Sequence, residues 1–259
     1  MSMTELYLEG LYAMLAFALL GWLLSLIRQN VTHVDSMWSL FFLVAGISYI
    51  PSLDSLNLRG MIVIVLLTFW SLRLSVYLTW RNWGPHEDHR YAAIRQNNLP
   101  HFKWTSIYIV FGLQALLAWI ISLPILGSVL SNNPLNMIDM IGISLTVFGI
   151  VWESIADWQL TKFKQDQTNK NKVLNHGVWR YSRHPNYFGE CCVWWGFFLI
   201  ALAGGAWWSI LSALLMTLLL LKVSGVALLE KDIAERRPEY LNYLKTTNAF
   251  IPGKPKSQK

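Results

Sequence analysis

The sequence predicts an all-α integral membrane protein of seven transmembrane helices, with the N-terminus outside and the C-terminus in the cytoplasm. Three observations predict it. Hydrophobic residues make up 54% of the 259 positions and charged residues only 14%, too little polar surface for a soluble domain of this length. Seven apolar runs are long enough to cross, or nearly cross, a bilayer: 6–27, 34–51, 60–80, 104–126, 139–160, 187–203 and 206–228. Of the 21 Lys and Arg residues, 18 lie in segments 28–33, 81–103, 161–186 and 229–259, all on one side of such a topology. The opposite side holds only Arg59, and this bias marks the basic side as cytoplasmic.

The first run carries Glu5 and Glu9 but no basic residue before it, which reads as a retained helix rather than a cleaved leader. The second is short and begins beside His33 with Asp35 near its start. In the third, Trp70, Arg73 and Tyr77 repeat at i, i+3 and i+7 and share one helix face. The following loop holds a compact cluster, Glu87-Asp88-His89-Arg90-Tyr91, suited to capping a cavity or to being solvated. The fourth run adds a further crossing. Late in the fifth, Glu153 and Asp157 fall at i and i+4, with Lys164 on the same face if the helix continues. The sixth is short and carries Glu190; Gly204-Gly205 makes it a tight hairpin with the seventh, which holds Lys222. The segment from Glu230 to Pro252, with Glu235, Arg236, Arg237, Tyr240 and Tyr243, reads as an amphipathic helix along the membrane surface. The tail after Pro252 is basic and reads as disordered. With no repeat, the chain is one domain over 1–259.

Several function classes are excluded on this reading. The net charge of +6 is explained by the positive-inside bias, so no nucleic acid is implied. Cys191 and Cys192 are adjacent within an apolar run, which implies neither a disulfide framework nor a metal site. Fourteen tryptophans fit interfacial belts.

Six charges inside the runs say more. Asp35, Arg73, Glu153, Asp157, Glu190 and Lys222 fall in the cytoplasmic half of five helices. Each alone costs several kcal/mol in hydrocarbon, roughly 2.5–3.5 on insertion scales. Together they imply a shared polar cavity open to the cytoplasm; the plainer alternative is a set of snorkelling or mutually paired structural ions.

The richest stretch is Gly177-Val-Trp-Arg-Tyr-Ser-Arg-His-Pro-Asn-Tyr-Phe-Gly-Glu190. Arg180, Arg183 and His184 are donors suited to phosphate oxygens. Pro185 separates the preceding turn from a new helix. Asn186 offers an amide able to pair with another carboxamide, Tyr187 a ring face, and Gly189 room for a close backbone or ligand. The alternative is a basic loop resting on lipid headgroups.

This stretch, with Tyr240-x-x-Tyr243 and Phe250-Ile-Pro252 after it, resembles the C-terminal half of the membrane steroid 5α-reductases. The likeness extends over roughly 139–252 and, less fully, 60–91, dividing the domain into substrate-side helices (1–100) and a cofactor-binding half (139–252). The Arg-His-Pro core also resembles the isoprenylcysteine carboxyl methyltransferases and phospholipid methyltransferases, which bind S-adenosylmethionine. The reductase resemblance implies NADPH as cofactor. It implies cofactor contacts at Arg73, Tyr77, Arg90, Asp157, Lys164, Arg180, Arg183, His184, Asn186, Tyr187, Glu190, Tyr240 and Tyr243. It implies 1,4-reduction of an α,β-unsaturated ketone, a 3-oxo-Δ4 steroid above all, entering from lipid. Three departures bear on the substrate. His33-Val-Asp35 stands where mammalian members have a Gln-Glu pair, Trp70 where the family has a Tyr, and Glu153 where it has an Asn. Asp35 and His33 are therefore the expected catalytic residues, Asp35 as a protonated donor or His33 as donor or relay. Trp38 and Trp70 are expected at the substrate. No obligate protein partner is implied, and the expected setting is a bacterial inner membrane with the cofactor site facing the cytoplasm. The competing readings are an S-adenosylmethionine-dependent methyltransferase and a lipid-binding protein without activity.

Overall fold

The computed structural model describes residues 2–170, 172–223, 226, 230 and 240–256. Every regular element among them is helical. They form two compact units, Met1–Leu135 with Ala201–Ser209, and Asn136–Ile200 with Ile210–Lys259.

The first unit opens with α1, Met3–Arg28, whose start is fixed by a reciprocal cap: Ser2 Oγ accepts from the Glu5 amide and Glu5 Oε2 accepts from the Ser2 amide. α2, Val34–Tyr49, is the most enclosed of its crossing-length helices, with Phe41, Phe42, Ala45 and Tyr49 fully buried. α3, Leu58–Arg81, starts at Asn57, whose Oδ1 accepts from the Gly60 amide at 2.8 Å while Nδ2 donates to the Ser128 and Val129 carbonyls. Gly60 has no side chain because a Cβ there would lie 3.2 Å from the Val129 backbone. α4, His89–Asn97, is a short connector helix. α5, Phe102–Ser106, passes through a π-helical turn, Ile107–Gly112, into α6, Leu113–Ile121, making one crossing-length helix. The expected run to 126 is interrupted at Ser122, after which Pro124 sits in the first turn of α7, Leu123–Val129. Arg59, the lone cation expected outside, is 1% exposed and donates to Ser131 Oγ and to the Asn133 and Pro134 carbonyls.

The second unit is built on α8, Met137–Gln165, and α9, Pro185–Ala203. Asn136 and Asp139 cap α8 reciprocally. The two helices meet on a glycine seam. A Cβ on Gly149 would lie 2.6 Å from the Gly189 carbonyl, and one on Gly142 would lie 2.8 Å from the Gly196 carbonyl. Seven-residue spacing of glycines on both helices lets the backbones touch, the usual device where lipid provides no hydrophobic drive between helices. The stripe continues along α8 through Glu153 to Asp157, both buried. Gly189, expected to admit a backbone or ligand, admits the Glu153 backbone: its Cβ would stand 2.8 Å from that amide nitrogen. After the Gly204-Gly205 turn come α10, Ile210–Leu218, a π-helical turn at Leu219–Val223, and, further on, α11, Tyr240–Thr246.

Among the described residues, six helices are long and apolar enough to cross a membrane: Met3–Arg28, Val34–Ser52, Leu58–Arg81, Phe102–Ile121, Met137–Gln165 and Pro185–Ala203. The seventh expected span, 206–228, is represented by a shorter apolar stretch, Trp207–Val223, and its last residues lie largely outside the described ones. The surface helix expected from Glu230 is described at Glu230 and from Tyr240 onward; Glu235, Arg236, Arg237 and the last three residues of the tail lie outside the described residues.

Candidate functional site

In the first unit, a charged cluster forms at the head of α2. Asp35 accepts at both oxygens: Arg90 Nη2 donates to Oδ2 at 2.6 Å and the Tyr91 hydroxyl donates to Oδ1 at 2.5 Å. Gln114 Nε2 of α6 donates to the Tyr91 oxygen at 3.2 Å. Asp88 caps α4 and also receives Arg90 Nε at 2.9 Å, while its own amide donates to Thr32 Oγ1. Glu87 receives two bonds from Arg95 at 2.7 Å and one from the Val31 amide, clamping the loop to the α1–α2 turn. Burial raises the Glu87 carboxyl, but bonds from Arg95 and the Val31 amide overcome it and hold the group below its ordinary range. Asp88 is likewise lowered, its burial outweighed by Arg90. Burial, and then the charge of Asp35, push the Tyr91 phenol well above its ordinary value. Burial works against the Arg90 cation, yet Asp35 and Asp88 raise it.

Sequence reasoning placed Asp35 here as a proton donor and Arg90 on the cofactor. The structure makes Asp35 an acceptor that orients Arg90 and Tyr91. The carboxylate-rich loop delivers a guanidinium and a phenol to the same carboxyl group. Arg90 spends Nε and Nη2 on Asp88 and Asp35; among the described residues Nη1 makes no hydrogen bond. No hydrogen bond joins His33 to Asp35 among the described residues. His33 Nε2 instead meets the Gly21 carbonyl at 2.9 Å, and its ring lies beside Phe111. Burial lowers the His33 pKa against the opposing pull of that carbonyl. Trp70 is fully buried with its ring 5.9 Å from Phe42, which Trp38 meets edge-on. Arg73 and Tyr77 sit half-buried on α3, with the Arg81 guanidinium 5.6 Å over the Tyr77 ring.

In the second unit, the motif around Arg183 is folded inward. Arg183 Nε and Nη2 donate to the two oxygens of Glu230 at 2.7 and 3.0 Å, and Nη1 reaches the Thr247 and Leu244 carbonyls. His184 Nε2 lies 2.9 Å from Glu230 Oε1, and the Tyr240 hydroxyl donates to the same oxygen at 3.3 Å. Burial raises the Glu230 carboxyl, but His184 and Arg183 more than compensate and hold it at about 2. Tyr243 donates to the Trp179 and Ser182 carbonyls. Ser182 Oγ donates to the Phe250 carbonyl, and the Arg183 amide to the Asn248 carbonyl. These bonds strap 240–256 across 177–184. Arg183, His184, Tyr240 and Tyr243, expected on the cofactor, are therefore joined in one buried network whose centre, Glu230, sequence reasoning did not single out as an acceptor.

The remaining residues gather at the start of α9. Asn186 Nδ2 donates to Asp157 Oδ1 at 3.4 Å, bringing together two residues 29 positions apart. Tyr187 stacks on His184, rings 5.8 Å apart and nearly parallel. Glu190 is buried one turn further on. Trp179 Nε1 donates to the Ala156 carbonyl and Gln159 accepts from the Val178 amide, holding the motif on α8. Arg180 and Lys164 are exposed.

Residues 21–247 match the model of a family described as a protein of unknown function, DUF1295. The chain belongs to the DUF1295 family. Both clusters lie within the matched residues. This DUF1295 chain is also similar to an uncharacterized protein of Schizosaccharomyces pombe, C594.04c, at 28% identity over 225 residues covering 74% of this chain. It spans 63% of that relative's length. No solved structure matches.

Proposed function

We propose that the chain is a membrane reductase of the steroid 5α-reductase type, which uses NADPH to reduce the C=C bond of an α,β-unsaturated ketone, a 3-oxo-Δ4 steroid being the leading substrate. The observation that carries this reading is the convergence of Arg90 and Tyr91 on Asp35 at the head of an apolar helix. Reduction of an enone places negative charge on its carbonyl oxygen, and donors fixed in a low-dielectric site stabilise that charge without reorganising. Arg90 Nη1 is such a donor, with Asp35 and Asp88 holding its guanidinium in place, while the Tyr91 hydroxyl gives its proton to Asp35 and fixes that carboxylate. Burial lowers the His33 pKa and its Nε2 faces the Gly21 carbonyl, so this reading gives the donor role to Arg90. NADPH, when bound, supplies the hydride. In the second unit the Asn186 carboxamide, held by only a long bond to Asp157, suits a nicotinamide carboxamide, and exposed Arg180 and Lys164 suit phosphates. The setting follows the charge bias: seven spans in a bacterial inner membrane, C-terminus and cofactor on the cytoplasmic side, substrate arriving through lipid.

The test uses purified protein in detergent with NADPH and progesterone, following loss of nicotinamide absorbance and identifying the product by mass. A product two hydrogens heavier with stoichiometric NADPH oxidation is expected; a folded protein that neither oxidises nor binds NADPH overturns the reading. One observation favours a second. Arg183 and His184 serve Glu230, which removes two cations from the pyrophosphate and keeps open an S-adenosylmethionine-dependent methyltransferase of the isoprenylcysteine carboxyl methyltransferase type. Binding of S-adenosylmethionine without NADPH binding selects it.

A further inference from the structure

Between the end of α1, the start of α2 and the end of α3, the first unit encloses a cavity of about 20 Å³, lined in part by Arg28, His33, Ser36, Thr79, Asn82 and Trp83. That volume accommodates one oxygen-sized group, since a water needs roughly 10–15 Å³ on the same measure. Two nitrogens of this lining are buried without a hydrogen-bond partner: His33 Nδ1 and Asn82 Nδ2. Neighbouring groups fix what each can do. A carbonyl oxygen only accepts, so the Gly21 carbonyl at 2.9 Å places the His33 proton on Nε2, and Nδ1 of the neutral ring is a bare acceptor. Burial, the leading influence on this ring, lowers its pKa, the Arg28 charge acts in the same sense, and the backbones of Gly21 and Asn30 oppose them. A guanidinium only donates, so Arg81 Nε at 3.0 Å from Asn82 Oδ1 fixes that amide and leaves its NH₂ as a donor. Among its buried unpartnered atoms the cavity thus presents one acceptor and one donor, beside the hydroxyls of Thr32, Ser36 and Thr79. Carboxylates and ketones, which only accept, satisfy one of the two; a hydroxyl satisfies both.

The cavity adjoins a larger groove. One stripe of α3 and the residues after it, Ser75, Val76, Thr79, Trp80 and Trp83, lines about 580 Å³, sharing Thr79 and Trp83 with the cavity. Val76, Trp80 and Trp83 are 67%, 55% and 73% exposed, an apolar wall suited to a body arriving from lipid. Arg28 stacks over the Trp83 ring at 5.2 Å and frames the junction. We propose that the cavity is a hydroxyl subsite, taking the O–H of an apolar alcohol of sterol size whose body lies in the groove. The hydroxyl accepts from Asn82 Nδ2 and donates to His33 Nδ1. The subsite stands independently of the reductase reading, because neither atom is needed for chemistry at Asp35.

The test omits NADPH. Equilibrium binding of 5α-androstan-3β-ol and of 5α-androstane, the same skeleton without the hydroxyl, is measured on the full chain in detergent. The alcohol is expected to bind at least tenfold tighter. In Asn82→Ala that preference falls to about one while the hydrocarbon affinity is kept, which also reports a folded variant. Equal affinities in the unsubstituted chain mean that the cavity holds only water and overturn the proposal, as does a preference that survives Asn82→Ala. Where Asn82→Ala binds neither ligand, the ratio in His33→Phe decides: collapse supports the subsite and persistence overturns it.

Discussion

Glu230 receives Arg183 through two donors, His184 through one and Tyr240 through another, so a single carboxylate anchors the strap that follows it. Its folded pKa of about 2 lies below the ordinary 4.5, so this contribution is complete above pH 4.5 and disappears as pH falls toward 2. The shift corresponds to roughly 3 kcal/mol at most, at ~1.4 kcal/mol per unit. Glu230→Gln should lower the melting temperature at pH 7 by about 5–10 °C, and the gap should narrow as pH falls from 4.5 toward 2; a gap that stays constant with pH contradicts the linkage. At the other cluster, Asp35→Asn keeps the size of the side chain but removes the charge that holds Arg90. Turnover should fall on the order of 100-fold, the scale of losing an oriented oxyanion donor, while the NADPH dissociation constant stays within about twofold. Equal loss of both would remove Asp35 from the substrate side. The residues of these clusters were legible as types, since Arg, His, Asp and Asn stand out in apolar runs. Their partners were not. Nothing in the spacing says that Arg90 and Tyr91 come back to Asp35, 55 and 56 positions earlier, or that Glu230 lies within reach of Arg183, because long-range pairing is set by helix packing rather than local pattern.

Among the elements, α8 and α9 make the sharpest case. Their glycines repeat every seven residues, so two turns of each helix present bare backbone to the other. Gly149→Ala would bring a Cβ to 2.6 Å from the Gly189 carbonyl and 2.7 Å from the Val193 amide, both backbone atoms that cannot rotate away. The helices must part, at a cost of about 1–3 kcal/mol. Gly84→Ala, in the loop after α3, meets nothing within 4 Å and is the matched control. Thermal melting in detergent should separate the two; similar melting temperatures would mean that the seam is looser than its backbone distances. The six crossing-length helices were legible, because runs of about twenty apolar residues admit little else in a bilayer, whereas α4 stands in what reads as a loop. The break at Ser122 and the π-helical turn at 107–112 were not, since an uninterrupted apolar run carries no mark of where its hydrogen-bond ladder shifts.

For the whole molecule, six helices of crossing length are in hand and the seventh stretch, Trp207–Val223, has 17 residues. At 1.5 Å per residue that is about 25 Å, slightly short of a ~30 Å hydrocarbon core. Whether the chain crosses six or seven times sets which side the C-terminus faces. The basic residues discriminate. With seven crossings, segments 161–186 and 229–259 share a side with 28–33 and 81–103; with six, the 7 Lys and Arg of the last segment change sides while the other 11 stay. The positive-inside preference is the ground on which the proposed topology takes seven. A green fluorescent protein fused after Lys259 should be fluorescent, because that fold matures in the cytoplasm, and alkaline phosphatase at the same site should be inactive. The reverse pattern would place outside both 240–256 and the segment 177–184 to which it is hydrogen-bonded. It would also take the strap held by Arg183 and Glu230 away from a cytoplasmic cofactor, so the same fusion tests the sidedness on which the NADPH reading depends.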